Sequence, residues 1–202
     1  MLTPQFFDAV RADLFGGRLT EGQVKGLEAI ESGFVRDGRA GGANALAYVL
    51  ATAYHETGRR MVALRETGAD SDALAVARLD RAYASGRLRQ VKTPYWRADA
   101  EGKCWFGRGL VQITHKANYE RLGRAIGVDL VGDPSLALEP DVAVKVLVIG
   151  MRDGLFTGRR LSHCFHEGVT DWIGARAIVN GRDRAELIAD HARVFQRALG
   201  VG

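Results

Sequence analysis

The 202-residue chain is 47% hydrophobic and 26% charged, with a formal net charge of +4, 25 Gly, 4 Pro and 2 Cys. The apolar fraction excludes a disordered chain and the two cysteines exclude a disulfide scaffold, while no stretch reaches the roughly 20 apolar residues of a membrane-spanning helix. A single domain over residues 1–202, with enough chain to bury its own core, is the expectation at this length. The basic excess fits an anionic partner (nucleic acid, cell-wall polymer, lipid headgroups) as well as plain solubility. Nucleic acid is disfavoured because Lys and Arg are scattered and no recognition motif accompanies them. Met1 to Asp8 carries neither a basic region nor an apolar run, so the chain reads as lacking a signal peptide and as made in the cytoplasm.

In chain order, Phe6, Phe7, Val10 and Leu14 predict an amphipathic helix over Leu2–Leu14, stopped at Gly16-Gly17. Thr20 and Gln23 have capping-box spacing and open a helix with Val24, Leu27, Ile30 and Phe34 on one face. Gly38, Gly41 and Gly42 break it, completing an N-terminal helical segment over residues 1–40. From Ala43 to Glu56 the sequence is apolar on nearly every side, which places that helix in the centre of the domain. A short helix follows at Asp72–Ser85, and the polar stretch Lys92–Lys103 reads as a long functional loop. Leu110–Thr114 has strand-like residues, Asn118–Ile126 is helical, and Asp141–Met151 is an apolar helix entered through Pro134 and Pro140. The last helix is expected from Asp183, with Glu186 as capping-box partner, to about Leu199.

Several familiar constellations fail. His55-Glu56 lacks the second histidine of a zinc-protease helix, since Arg59 stands there, and Gly107-Arg-Gly109 meets Gln112 where a dinucleotide fingerprint needs glycine. His163, Cys164 and His166 have no second ligand group at zinc spacing, so no metal site and no cofactor is expected. Cys104 and Cys164 read as reduced thiols, their pairing left open. Carboxylates remain. Glu56 ends the most apolar helix, where a carboxyl is partly desolvated, as a general acid requires; exposure in the last helical turn is the other reading. Glu66 follows in Arg65-Glu-Thr-Gly68, either as the partner carboxylate of a glycosidase pair or as half of a surface ion pair.

The runs Ala53-Tyr-His-Glu-Thr-Gly58, Phe106-Gly-Arg-Gly-Leu-Val-Gln-Ile-Thr-His-Lys-Ala-Asn-Tyr119 and Ile178-Val-Asn-Gly181, with Glu66 between the first two, resemble glycoside hydrolase family 19. The similarity covers residues 43–199 in the same order and is closer to bacteriophage and prophage endolysins than to secreted plant chitinases. It implies a mainly α, lysozyme-like α+β fold: a two-lobed helical domain with a minor β element and a central substrate cleft. It also implies Glu56 as general acid, Glu66 as general base, and Thr114 as a hydroxyl holding the attacking water. His55, Gln112, Asn118, Tyr119 and Asn180 become substrate contacts, with Tyr95 and Trp96 in the polar loop as stacking or lid residues. Trp105 and Phe106 are expected in the core.

The resemblance further implies inversion at the anomeric carbon, with carboxyl groups roughly 6.5–9.5 Å apart. The partner is then peptidoglycan or a chitin-like glycan, cut by a monomer without stable membrane association. Release from the host cytoplasm to the periplasmic cell wall through a holin completes the endolysin reading. Chitin hydrolysis is the alternative, and a catalytically silent cell-wall-binding module the third, opposed by the presence of Glu56, Glu66 and Thr114. The pattern departs from the plant type at Leu110 and at His191, where the plant pattern has Pro and Arg. Arg182, Arg184 and Arg193 are the possible replacements for that arginine. The short interval between Glu56 and Glu66 leaves Asp70 and Asp72 as alternative bases.

Overall fold

The computed structural model describes residues 1–38 and 42–200. Helix α1 (Pro4–Asp13) starts where the Thr3 hydroxyl accepts from Phe6 N, slightly inside the expected bounds. Helix α2 (Glu21–Gly33) opens with the expected capping box: Thr20 Oγ1 accepts from Gln23 N at 3.2 Å and Thr20 N donates to Gln23 Oε1 at 2.8 Å. The chain then winds into a π turn, Phe34–Gly38, that was not foreseen. Only glycine fits at its end, because a Cβ on Gly38 would lie 2.7 Å from the Phe34 ring. Gly41 lies outside the described residues, and Gly42 opens the next helix.

Helix α3 (Gly42–Glu56) is buried without interruption from Ala45 to Tyr54, as its all-round apolar sequence requires. It packs most extensively against α7 (Ala185–Ala198), while α2 packs against α6 (Pro140–Asp153). Gly33 permits that second approach, since a Cβ there would collide with the Val144 side chain. These helices and α1 share one large apolar core. A separate, smaller core of Ala69, Ala75, Leu79, Trp96 and Phe106 forms beneath α4 (Asp72–Ala84) and the loop after it. Two cores make the two lobes. Burying an aromatic of this size contributes about 2–3 kcal/mol, so Trp96 and Phe106 anchor the smaller lobe.

A two-residue antiparallel pair joins the lobes, with β1 (Leu64–Arg65) on β2 (Arg108–Gly109) and Arg65 opposite Arg108. The strand expected at Leu110–Thr114 is instead a tight turn. Arg108 and Ile113 exchange backbone hydrogen bonds across it, and Gln112 takes φ 52°, which no strand residue can. Helix α5 (Lys116–Ile126) follows, and a second short pair forms between β3 (Phe165–His166) and β4 (Val169–Thr170). The capping box expected for α7 does not form: Arg184 occupies the cap with φ 55°, and no side chain caps the helix. No helix among the described residues is long and apolar enough to cross a membrane. Cys104 and Cys164 are both free thiols.

Candidate active site

Glu56 is the last residue of α3, so the helix that fills the large core delivers a carboxylate to its edge. Its side chain is 19% exposed, so it is the partly desolvated carboxyl of one reading and not the exposed last-turn residue of the other, and its partner is a charged group. Oε1 accepts from Arg176 Nη1 at 2.7 Å. Arg176 belongs to the 3-10 turn Gly174–Ile178, is 4% exposed, and donates its Nε to Asp183 O at 3.0 Å. The buried guanidinium, braced at Asp183 O, holds one oxygen of the carboxylate in place. Arg176 was missed in the sequence. The available signal was a lone arginine between Ala175 and Ala177, in an otherwise apolar run ending at Val179.

Glu66 sits just after β1 and, unlike Glu56, is held at both oxygens. Oε1 accepts from the Tyr95 hydroxyl at 2.8 Å and Oε2 from Gly107 N at 2.7 Å, while Glu66 N donates to Gly107 O. It is therefore no surface ion pair with Arg65, whose guanidinium goes to Asp72 at 2.6 Å. Burial, then the hydrogen bond to Glu66, pushes the Tyr95 hydroxyl well above its ordinary pKa and keeps it a donor. Tyr95 is thus a positioning group for Glu66 rather than a free stacking or lid residue. Trp96 is wholly buried with its indole N–H on Asp80 at 2.9 Å, and it cannot meet a sugar. Trp105 and Phe106 are core residues, as expected.

The turn around Gln112 carries more of the site. Six described non-glycine residues have left-handed φ, and five of them (Arg59, Met61, Thr67, Gln112, His115) lie in the loops next to Glu56, Glu66 and Gln112. Each such conformation costs of order 1–3 kcal/mol and persists only where surroundings enforce it. For Gln112 the enforcement is visible. Its amide N–H₂ donates to Leu64 O at 2.8 Å and Gly109 O at 3.1 Å, clamping β1 to the turn beside Glu66. Asn118 is similarly engaged, donating to Thr114 O at 2.7 Å and accepting from Arg121 at 2.6 Å. Gln112, Thr114 and Asn118 line a hollow of about 150 Å³, closed from the large lobe by Phe156 and Val179. The Thr114 hydroxyl makes no hydrogen bond among the described residues, and neither does Gln112 Oε1, whereas both side-chain atoms of Asn118 are engaged.

Tyr119 is not a cleft residue. It is wholly buried, donating to Phe106 O at 2.7 Å and accepting from Arg108 at 3.0 Å, and burial pushes its hydroxyl up to about 12. Asp72 receives Arg65 at 2.6 Å on one oxygen and Arg108 at 2.6 Å on the other, and so serves the small lobe's framework rather than as a base. Asp70 is exposed. Asn180 is exposed beyond Val179, its side-chain oxygen accepting from Gly181 N. None of the three arginines proposed to replace the plant-type residue meets a carboxylate of the pair. Arg193 binds Asp190, and Arg182 and Arg184 are exposed.

His55 lies away from the Thr114 hollow. It lines a separate one of about 220 Å³ with Arg59, Arg184 and His191, the last packed edge-on to Tyr54 at 4.8 Å. Burial lowers the pKa of both histidines, opposed at His55 by Glu56 and reinforced at His191 by His55 and Arg59. The folded protein therefore binds fewer protons at these rings than the unfolded chain does. Their share of stability is full above the ordinary histidine pKa of about 6.5 and is lost as pH falls through the lower folded values. Thermal melts are expected to fall between pH 7.5 and 5.5, and His191→Gln to flatten that slope. An unchanged slope in the variant would remove His191 from the cause.

Comparison with known proteins gives the family and the fold. The family model described as "Chitinase class I", of glycoside hydrolase family 19, matches residues 31–151. A 47-residue stretch, 23% of the chain, is 51% identical to endochitinase 4 of Solanum tuberosum and to endochitinase B of Nicotiana tabacum, covering 16% and 14% of those proteins. The chain thus matches less than a fifth of the length of these curated relatives. Chitinase C of Streptomyces griseus HUT6037 superimposes with a TM-score of 0.57 at 21% identity, covering 98% of this chain and 75% of that one. The class IV chitinase of Zea mays gives 0.57 at 17% identity, covering 100% and 94%. These likenesses extend over the whole fold, and the family match takes in Glu56, Glu66 and the Gln112 turn: the chain belongs to glycoside hydrolase family 19.

Proposed function

We propose that the protein is an inverting glycosidase of endolysin type, cutting β-1,4 bonds in the amino-sugar backbone of peptidoglycan. The observation that carries this reading is the pair of oriented carboxylates, Glu56 fixed by Arg176 and Glu66 by Tyr95 and Gly107. Glu56 donates its proton to the leaving glycosidic oxygen. Glu66 takes a proton from water, which the Thr114 hydroxyl helps to hold and which attacks the anomeric carbon from the opposite face. The net charge of +4 favours an anionic polymer over neutral chitin, through attraction that salt screens. In this reading the enzyme is made in the host cytoplasm and reaches the wall when a holin opens the membrane. A second reading, chitin hydrolysis, has in its favour the local 51% identity to plant endochitinases.

Purified protein should clear outer-membrane-permeabilised Gram-negative cells, less well as salt rises. Mass spectrometry of reduced products would identify the new reducing end as N-acetylmuramic acid or N-acetylglucosamine. Faster turnover of colloidal chitin than of sacculi would favour the second reading. Glu66→Gln should lower kcat by ~10²–10⁴-fold, as loss of a general base does. Tyr95→Phe should lower it about tenfold with KM unchanged, since it removes one orienting hydrogen bond. Asp72→Asn exceeding Glu66→Gln in its effect on kcat would move the base to Asp72.

A further inference from the structure

A hollow of about 690 Å³ lies between the 3-10 turn Gly174–Ile178 and the entry to α7. Its size suits a short peptide rather than a single ion. Its wall is chemically mixed: Arg159, Arg182 and Arg184 supply guanidinium groups, Glu186 an acid, and Ile173 and Ala177 apolar surface. Arg159 is braced by Asp171 at 3.3 Å, and Asp171 is itself tied to Gly174 N at 2.8 Å. Arg182 and Glu186 have no ion-pair partner among the described residues, and the one carboxylate near Arg184 is Asp183 at 3.9 Å. Arg182 and Glu186 thus carry charges that no ion pair offsets among the described residues.

Position adds to composition. Gly174 and Ala177 line the hollow, while Arg176 of the same turn points to Glu56. A group seated here is one turn of chain from the general acid. Peptidoglycan differs from chitin by a short peptide branching from alternate sugars, which carries several carboxylates, small methyl side chains and, in the diaminopimelate type, a free ammonium. Arginines suit the carboxylates, Glu186 the ammonium, and Ile173 and Ala177 the methyl groups.

We propose that this hollow binds the stem peptide of a peptidoglycan strand whose glycan lies across Glu56 and Glu66, a site that rests on the peptidoglycan reading above. The test separates binding from cleavage. Isolated diaminopimelate-containing stem tetrapeptide, free of sugar, is titrated into the ¹⁵N-labelled protein, with chitohexaose and whole sacculi as substrates in parallel assays. The tetrapeptide is expected to shift the resonances of Ala177, Arg182 and Arg184. Its affinity should fall at least ~10-fold in the Arg182→Glu/Arg184→Glu protein, as loss of charge-assisted hydrogen bonds requires. Arg182→Glu alone, at an exposed position, gives a smaller loss and guards against a misfolded double variant. Wild-type protein that cuts sacculi but shows no such shifts, or shifts equal in the variants, overturns the site and leaves the functional reading standing. Protein that binds the tetrapeptide but cuts only chitohexaose supports the site and overturns the functional reading instead.

Discussion

Replacing Glu56 by glutamine is expected to lower kcat on a β-1,4-linked amino-sugar oligomer by about 10²–10⁴-fold, the contribution of a general acid. The amide keeps the shape and an acceptor for Arg176 but has no proton to give, so KM should change little. Arg176 is 4% exposed and also bound to Asp183 O, so it stays in place beside the amide. A modest loss of stability is expected, because a buried guanidinium has exchanged a carboxylate for a neutral partner. Arg176→Met makes the contrasting case. It frees the carboxylate and leaves Asp183 O without its donor, so activity and melting temperature should fall together. Glu56→Gln protein that retains wild-type kcat would exclude Glu56 as the acid.

The largest expected effect on stability is at Arg108. This residue is 2% exposed and binds Cys104 O at 2.9 Å, the Tyr119 hydroxyl at 3.0 Å and Asp72 at 2.6 Å, with its guanidinium 3.7 Å from the Phe106 ring centre. It joins α4, the loop before β2, and α5. Arg108→Met fills similar space but strands those partners. The loss should be about 3 kcal/mol, at the low end for breaking a buried ion pair because the Asp72 side chain is 44% exposed and water recovers part of the cost. Arg108→Lys should not rescue it, since a single ammonium cannot reproduce the planar fork. Burial alone pushes the Asp72 carboxyl up, but hydrogen bonds from Arg65 and Arg108 outweigh it and hold the pKa below its ordinary value. The wild type therefore keeps this contribution above about pH 3.9 and loses it as pH falls through the lower folded value. In chemical denaturation, Arg108→Met should show a weaker acid dependence; a melt like that of the wild type would contradict this role.

Local rules made the helices legible. The Thr20–Gln23 box and the unbroken apolar run of α3 each predicted what formed, because caps and burial patterns act over a few residues. The errors occur where distant partners decide. Leu110–Thr114 has strand composition, yet Gln112 is bent into a left-handed turn because its amide is captured by Leu64 O. The Asp183–Glu186 spacing promised a cap, but Asp183 O is engaged by Arg176. Both carboxylates could be picked out in the sequence, whereas the groups that orient them could not. Tyr95 and Arg176 stand 29 and 120 positions from the residues they hold, and nothing in their own neighbourhoods marks that pairing. Trp96 and Tyr119 read as sugar contacts but are buried, Trp96 in the smaller core and Tyr119, on α5, in the large one; an aromatic in a polar loop gives no sign of which way the loop folds.

The anomer released in the first minutes of hydrolysis tests the two-carboxylate mechanism most directly. Chitohexaose or a defined peptidoglycan oligomer is digested with enough wild-type enzyme to outrun mutarotation, and the anomeric protons are followed by ¹H NMR. Water activated by Glu66 and attacking opposite a leaving group protonated by Glu56 must give the α anomer in excess from a β-linked substrate. Initial release of the β anomer would contradict that assignment, because it requires a retaining route in which Glu66 is not the base of a single displacement.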